Sequence, residues 1–362
     1  MSVAESKTPA DGSGVVTVTA TRALADHETR ADDPGFGPRA HTRLYRDGVR
    51  VLEDFPLADI SEYLAEAGSV VWLDLCRPTP DDFALASTEF GLHELAVEDA
   101  LDESQRPKLD RYTTHLFLSA YAVSLDARAT ALQVDEIAVF ITDHALITVR
   151  KDDQFDLAPV LARWDASPDL ARHGISFLLY GLLDHLVDGH FSAVQQLDEG
   201  IEQLEDMLFD ERRSQIQTVQ RRSFALRKNL VVLRRVVLPM REVLNTLLRR
   251  DLNLVNEAMA PYYQDVYDHV LRATEWTESL RDLAATTVET NLTIQANRMN
   301  LIMKKVTSWA AIIAVPTAIT GFYGQNLPYP GFATGWGVYA STGLILVLST
   351  LLYVVFKRRD WL

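Results

Sequence analysis

The chain has 362 residues, 48% of them hydrophobic, and a formal net charge of −15. That acidity argues against nucleic acid as a partner. A single cysteine, Cys76, excludes a disulfide framework and fits a reducing cytoplasm.

Residues 1–40 are rich in Ala, Asp, Thr, Gly and Pro and poor in large apolar side chains, the composition of a disordered tail. The leading MSVAESKTPADGSG lacks the apolar core of a signal peptide. Next, Asp47-Gly48 between short alternating stretches predicts a hairpin within Thr42–Val51. VVWLDL from Val70 to Leu75 reads as a buried strand. Thr79-Pro80-Asp81-Asp82 predicts a helix start, with a capping Thr, Pro at the first helical position and acids in the first turn. Three more strands are predicted around Leu116–Val123, Glu136–Ile141 and Ala145–Arg150, with Asp143-His144 turning between the last two. Strands mixed with helices make residues 41–170 an α/β domain. It contains neither a nucleophile–base spacing nor a phosphate loop.

The punctuation then changes. No glycine occurs between Gly200 and Gly321, and only Pro239, Pro261 and Pro316 interrupt that run, which predicts a region of very long helices over 171–302. One should run from about Ser176 to Phe209, and a second from about Ser214 to Leu248 with a bend or break at Pro239. In the first, Leu179, Leu182, Leu183, Leu186, Val187 and His190 keep helical spacing. The third can run from Tyr262 to Pro316 and, kinked, to Phe322, about 60 residues or roughly 90 Å at ~1.5 Å per residue. Its stripe is Val266, Val270, Ala273, Thr277, Leu280, Ala284, Val288 and Ile294. A helix of that length needs neighbours, which an oligomeric bundle supplies.

Residues 303–362 read as a transmembrane hairpin with a basic tail. None of the 51 residues Val306–Phe356 is Asp, Glu, Lys, Arg or His. The apolar runs Val306–Phe322 and Trp336–Phe356 both fall within the range of about 17–25 residues that spans a bilayer core, the first with little to spare. Lys304-Lys305 precede the hairpin and Lys357-Arg358-Arg359 follow it. The positive-inside rule then puts both termini in the cytoplasm and the Tyr-Gly-Gln-Asn loop outside; the membrane expected is the plasma (inner) membrane.

Tyr323-Gly324-Gln325-Asn326 closes the first of these helices and the chain ends Lys357-Arg358-Arg359-Asp360-Trp361-Leu362. This arrangement resembles the CorA family of divalent-cation transporters, with its Tyr-Gly-Met-Asn signature and basic tail ending in Trp-Leu. Further similar stretches follow in order: Trp72–Leu75, Phe90–Asp99, Gln105–Lys108, Leu178–Asp188, Asp265–His269 and Asn297–Lys304. The resemblance covers roughly residues 41–362. It implies a funnel-shaped homopentamer in membrane lipid, in which five long helices line one pore and an α/β domain on each subunit completes a cytoplasmic funnel. The implied activity is passive transport of divalent cations, Mg²⁺ foremost with Co²⁺ and Ni²⁺ as further candidates, driven by the membrane potential.

The resemblance also implies site residues. Tyr323, Gly324, Gln325 and Asn326 form the selectivity filter, with the Asn326 amide and the Gly324 carbonyl receiving the hydrated ion. Mg²⁺ sheds water reluctantly, and neutral oxygens can accept hydrogen bonds from its shell without stripping it. The alternative is a tight turn, since Gly and Asn favour turns. Asn300, Met303 and Val306 fall where the family has a polar ring and an apolar constriction able to gate by dewetting, and Thr317 offers a hydroxyl to the pore. Ordinary helix packing is the alternative for Met303 and Val306. Glu98 and Asp99 match a family position facing Asp265 and Asp268 of the neighbouring subunit, where bound Mg²⁺ would stabilise the closed state as an intracellular sensor. A solvated acidic face is the alternative there.

Two departures stand out: Gln325 replaces the family methionine, and the loop Leu327–Trp336 has no acidic residue. Ion choice among Mg²⁺, Co²⁺, Ni²⁺ and Zn²⁺ is therefore open, with a zinc-transporting member of the same family as one alternative. A membrane-anchored signalling stalk without transport is another. An enzyme is the third: Asp184, His185, Asp188 and His190 could be imagined as metal ligands, but the two histidines are five apart, a poor fit to one helix face, and read as packing or hydrogen-bonding residues.

Overall fold

A computed structural model describes residues 40–102, 106–126, 131–209, 216–325, 328, 331–332 and 334–362. The expected N-terminal tail lies outside these residues. The first half contains β1 (Ala40–Arg46), β2 (Val49–Glu53), α1 (Ile60–Leu64), β3 (Ser69–Cys76), α2 (Pro80–Phe90), α3 (Glu94–Leu101), β4 (Lys108–Arg111), β5 (Leu116–Leu125), β6 (Leu132–Ile141) and β7 (Ala145–Arg150). Then come α4 (Ala158–Ala166), α5 (Pro168–Ala171), α6 (Ile175–Phe209), α7 (Ile216–Leu247), α8 (Ala260–Tyr323) and α9 (Gly335–Arg358).

Among the described residues, seven strands form one sheet in the order β2-β1-β3-β7-β6-β5-β4. β3 and β7 run parallel and the other neighbours antiparallel. The β1–β2 hairpin turns at Asp47 and Gly48, both with positive φ (49° and 81°). Gly48 suits that conformation because it has no Cβ to clash. α2 starts as predicted: the Thr79 side chain accepts from the Asp82 N–H and the Asp82 carboxylate accepts from the Thr79 N–H.

Alternation along the strands sends side chains to both faces. Val71, Leu73 and Leu75 of β3 join a core closed by α1, α2 and α3, while Trp72 joins the opposite core beneath α4 and α6. Asp74 also points to that second side and is fully buried, a cost offset by Arg150 at 2.6 Å and the Thr148 hydroxyl at 2.7 Å. The α4–α6 crossing is tight: the Trp164 indole N–H donates to the Leu178 carbonyl at 3.1 Å, and a Cβ at Gly181 would meet that indole nitrogen at 2.6 Å.

The long helices form where glycine is absent. α6 buries Leu179, Leu182, Leu183, Leu186, Val187 and His190, the predicted stripe. α8 buries Val266, Val270, Ala273, Thr277, Leu280 and Ala284 against α6 and α7, and its burial fades at Val288 and Ile294. Of the bend or break expected at Pro239, a break does not occur: α7 runs through it as one helix. An interior proline costs ~3 kcal/mol. Buried Val236, Val237 and Met240 flank it, and each buried apolar side chain contributes about 1.5–3 kcal/mol, so packing outweighs the lost bond.

His190 pins α6 to the sheet: its Nε2–H donates to the Tyr121 carbonyl at 2.7 Å. Complete burial pulls its imidazole down from 6.5 to about 4, so the fold holds the neutral form. The resulting stability is fully present above pH 6.5 and is lost as pH falls from there toward 4. The gap corresponds to about 3 kcal/mol at ~1.4 kcal/mol per unit. Glutamine at this position keeps the donor and removes the titration. Thermal unfolding of the full chain in detergent should therefore lose less stability between about pH 6.5 and 4.5 in His190→Gln than in the parent. Equal slopes would assign the acid sensitivity elsewhere.

Candidate ion pathway and cation sites

Beyond Ile294, α8 leaves the bundle with α6 and α7, and α9 becomes its neighbour further along. Only 6% of its most apolar stretch, and 0% of that of α9, is buried by other residues, although both helices are long and apolar enough to cross a membrane. An uncovered apolar helix of this kind belongs in lipid or against another chain. The Thr317 hydroxyl donates to the Ile313 carbonyl at 3.0 Å and that of Thr320 to the Pro316 carbonyl at 2.8 Å, so both are satisfied within the helix.

Asn300, Met303 and Val306 are exposed on α8, the last two at 56% and 58%. At ~100° per residue, these three and Thr317 fall within an arc of about 120° on one side of the helix. Asn300 and Met303 also line, with Trp361 from the end of the chain, an open groove of about 530 Å³. At the far end Tyr323 is the last residue of α8, with its ring set edge-on to Phe322 at 5.7 Å. Gly324 caps the helix, its N–H donating to the Thr320 carbonyl at 2.8 Å, and the exposed Gln325 follows. Asn326 lies outside the described residues.

The acidic positions divide between two helices. Glu98 is exposed on α3, and Asp99 beside it is held by the Lys108 ammonium at 2.6 Å. Lys108 also lies 3.0 Å from Asp110. Burial opposes its charge, but the bonds to Asp99 and Asp110 prevail and hold the ammonium above its ordinary range. Asp265 and Asp268 are both exposed on α8, and Asp268 accepts from the Gln264 amide at 3.0 Å. α3 and α8 share no extensive packing in the single chain, so Asp99 and Asp265 are not brought together within it.

A third group appears that the sequence concealed. Asp184 and Asp188, one turn apart on α6, and His269 on α8 bring ligand atoms within 4.8 Å of one another. Arg163 of α4 pairs with buried Asp184 and lies 3.9 Å from Asp188. The nearby Tyr180 phenol is pushed up first by burial; Arg163 pulls it back, while Asp265 and Asp188 add to the rise. Asp265 therefore shares the electrostatic surroundings of this group. His185 instead packs on Phe155 at 5.6 Å and His190 binds Tyr121, so both serve packing and hydrogen bonding as expected. The Asp184–Asp188 spacing was a legible sign of one face; the partner histidine was not. Carboxylate oxygens and an imidazole suit divalent cations.

A sheet-bearing unit that feeds a 64-residue helix into a second apolar helix, both helices long and apolar enough to cross a membrane, has the architecture of a membrane protein. Residues 67–358 match the family model described as CorA-like Mg2+ transporter protein. The chain belongs to this CorA family of divalent-cation transporters. The cobalt/magnesium transport protein CorA of Thermotoga maritima is 29% identical over 342 residues, covering 90% of this chain and 96% of that protein. The zinc transport protein ZntB of Yersinia pseudotuberculosis is 25% identical over 303 residues, 83% of this chain and 90% of its own. Among solved structures, the complete CorA magnesium transporter of Methanocaldococcus jannaschii has the same fold, with a TM-score of 0.71 at 21% identity over 90% of this chain and 100% of that one.

Arg163 tests whether the third group is a matched pair or a latent metal site. Arg163→Gln leaves the Asp184 carboxylate largely buried without its cation, and should destabilise the full chain by about 1–3 kcal/mol in chelator. Millimolar Mg²⁺ or Co²⁺ should recover part of that loss through Asp184, Asp188 and His269. Melting curves with and without the ion check it; a variant as stable as the parent in chelator shows that Asp184 does not depend on Arg163.

Proposed function

We propose that this protein carries Mg²⁺ into the cell down the membrane potential, through a pore lined by α8 of five identical subunits. The observation that carries this reading is that α8 is uncovered on all sides just before the membrane span. Met299, Leu301, Ile302 and Met303 are all exposed immediately before Lys304-Lys305, outside the uncharged span. Apolar side chains facing water are stable only against a partner, and copies of α8 are the partner at hand. A single hairpin cannot enclose a channel; five can surround one.

The ion enters past Asn326, the Gly324 carbonyl and the Gln325 amide, passes Thr317, and leaves through the apolar collar of Val306 and Met303 above Asn300. A neutral mouth accepts the hydrated ion by hydrogen bonds, and two charges crossing ~100 mV gain about 4.6 kcal/mol. On the cytoplasmic side, Mg²⁺ held between Glu98–Asp99 of one subunit and Asp265–Asp268 of the next stabilises the closed ring, so rising internal Mg²⁺ shuts the pore. The Lys304-Lys305 and Lys357-Arg358-Arg359 clusters support both termini being cytoplasmic in a plasma (inner) membrane. A preference for Mg²⁺ over Co²⁺ or Zn²⁺ draws support from the Thermotoga relative, and ZntB marks the competing choice.

Purified protein in liposomes should take up Mg²⁺ faster when the interior is made negative, and its mass in mild detergent should be that of a pentamer. Zn²⁺ transport at the expense of Mg²⁺ would favour the ZntB-like alternative, and absence of any cation flux would favour an anchored stalk. Asn326→Ala is expected to reduce uptake at least tenfold with the oligomer intact. Gln325→Ala is its companion, because that amide is one methylene longer and could substitute. Normal flux in the double variant would reduce this mouth to a turn.

A further inference from the structure

We propose that Lys108 is a tethered competitor for the divalent cation at Asp99, and that it sets the Mg²⁺ concentration at which the regulatory site fills. The inference rests on the regulatory reading of Asp99 given above. Its basis is the place Lys108 occupies. Antiparallel pairing with Ser119 fixes its backbone at the start of β4. Its ammonium is then carried to 2.6 Å from Asp99, 3.0 Å from Asp110 and 5.8 Å from the Phe117 ring centroid. Two carboxylates and an aromatic face hold one cation from three directions. Both side chains are mostly covered, Lys108 at 30% exposure and Asp99 at 23%, so the pair is less screened than a surface bridge.

An ammonium and a divalent ion cannot both occupy this carboxylate. Mg²⁺ takes oxygen ligands at ~2.0–2.1 Å and demands a near-octahedral shell of carboxylates and waters. With Lys108 bonded to one Asp99 oxygen, that shell would have to admit a positive nitrogen that offers no lone pair. Filling the site therefore means swinging Lys108 away, toward Asp110 alone or into solvent. The apparent affinity for Mg²⁺ is then the intrinsic affinity multiplied by the fraction of subunits in which Asp99 is free. Exposed ion pairs contribute up to ~1 kcal/mol, a factor of up to about 5, and a mostly covered pair lies in the upper part of that range or somewhat above it. A shift of about 3- to 10-fold in the Mg²⁺ requirement follows. Lys108 also gives the carboxylate a counter-ion when internal Mg²⁺ is low, so release of the ion does not leave an unpaired buried charge.

The test uses the full chain in lipid nanodiscs. Mg²⁺ is titrated against thermal unfolding and against resistance to chymotrypsin, whose preferred aromatic cleavage sites the substitutions leave unchanged. Lys108→Gln, and Lys108→Met which keeps the stem on Phe117, should each reach half-maximal protection at about 3- to 10-fold lower Mg²⁺. Lys108→Arg, which keeps the charge, should stay within about twofold of the parent, as should Lys228→Gln, an equal loss of charge on the exposed face of α7. An unchanged or higher midpoint in both Lys108→Gln and Lys108→Met overturns the proposal, and so does an equal drop in Lys228→Gln. Asp99→Asn separates the two levels. If it abolishes Mg²⁺ protection while Lys108→Gln shifts nothing, the regulatory site stands and the competitor falls. If Asp99→Asn leaves protection intact, both fall together.

Discussion

The structure depends on one constraint: a single α-helix of 64 residues must satisfy two media. Its first half is a helix of a packed bundle, with a stripe of Val, Ala, Thr and Leu set into α6 and α7. Its second half is covered by almost nothing in the chain. Continuity between the halves is kept by composition, since no glycine falls between Gly200 and Gly321 and the interior proline, Pro316, sits near the far end. A continuous rod transmits tilt. Asp265 and Tyr323 belong to one α-helix, separated by roughly 87 Å at ~1.5 Å per residue. A rigid rotation of about 5° at the acidic end would therefore move the other end by roughly 8 Å.

The charges are arranged around that rod in a graded way. Asp74 is wholly buried and met by Arg150 at 2.6 Å, a pair fixed within the sheet. Asp184 is nearly as buried and met by Arg163, whose own side chain is partly in solvent. Asp99 is more open and met by Lys108. Glu98, Asp265 and Asp268 are exposed. Desolvation makes the first pair permanent, because removing either partner strands a charge in a dry core. As burial falls, exchange of one cation for another becomes cheaper. The acids with a claim to bind ions are those where a rival cation can enter and leave.

Much of the fold could be read from the sequence where local signals coincide. VVWLDL, the Thr79-Pro80-Asp-Asp cap and the Asp47-Gly48 turn each fix their element through nearest neighbours, and all three stand in the structure. So do the long helices, whose existence followed from the absence of breakers. β4 was not legible: its sequence KLDR is polar, and it is a strand only because β5 offers an edge in register. Pro239 pointed to a break that packing overrides. The Asp184–Asp188–His269 group needed the docking of α8 on α6 before its third member could be seen, and the Lys108–Asp99 contact needed the β4 register. Local chemistry is written in the sequence; the partner from another element is supplied by tertiary packing.

The same distinction bears on how a cation could pass the basic border of the membrane. Lys304 and Lys305 stand at the start of the uncharged span, and Lys357, Arg358 and Arg359 at its end. Pointed inward, they would repel a divalent ion. The helix geometry turns them aside. Measured from Asn300 at ~100° per residue, the arc through Met303, Thr317 and Val306 runs about 120° one way, while Lys304 lies about 40° and Lys305 about 140° the other way. Lys305 is thus on the far side of α8, where lipid phosphates or neighbouring segments can take its charge, and Lys304 borders the arc without entering it. The proposed path keeps an amide, a thioether, a branched alkyl group and a hydroxyl, all neutral. On it, an ion with a tightly held water shell would meet neither a like charge to turn it back nor a carboxylate to trap it. That balance would let a passive route run on the membrane potential alone.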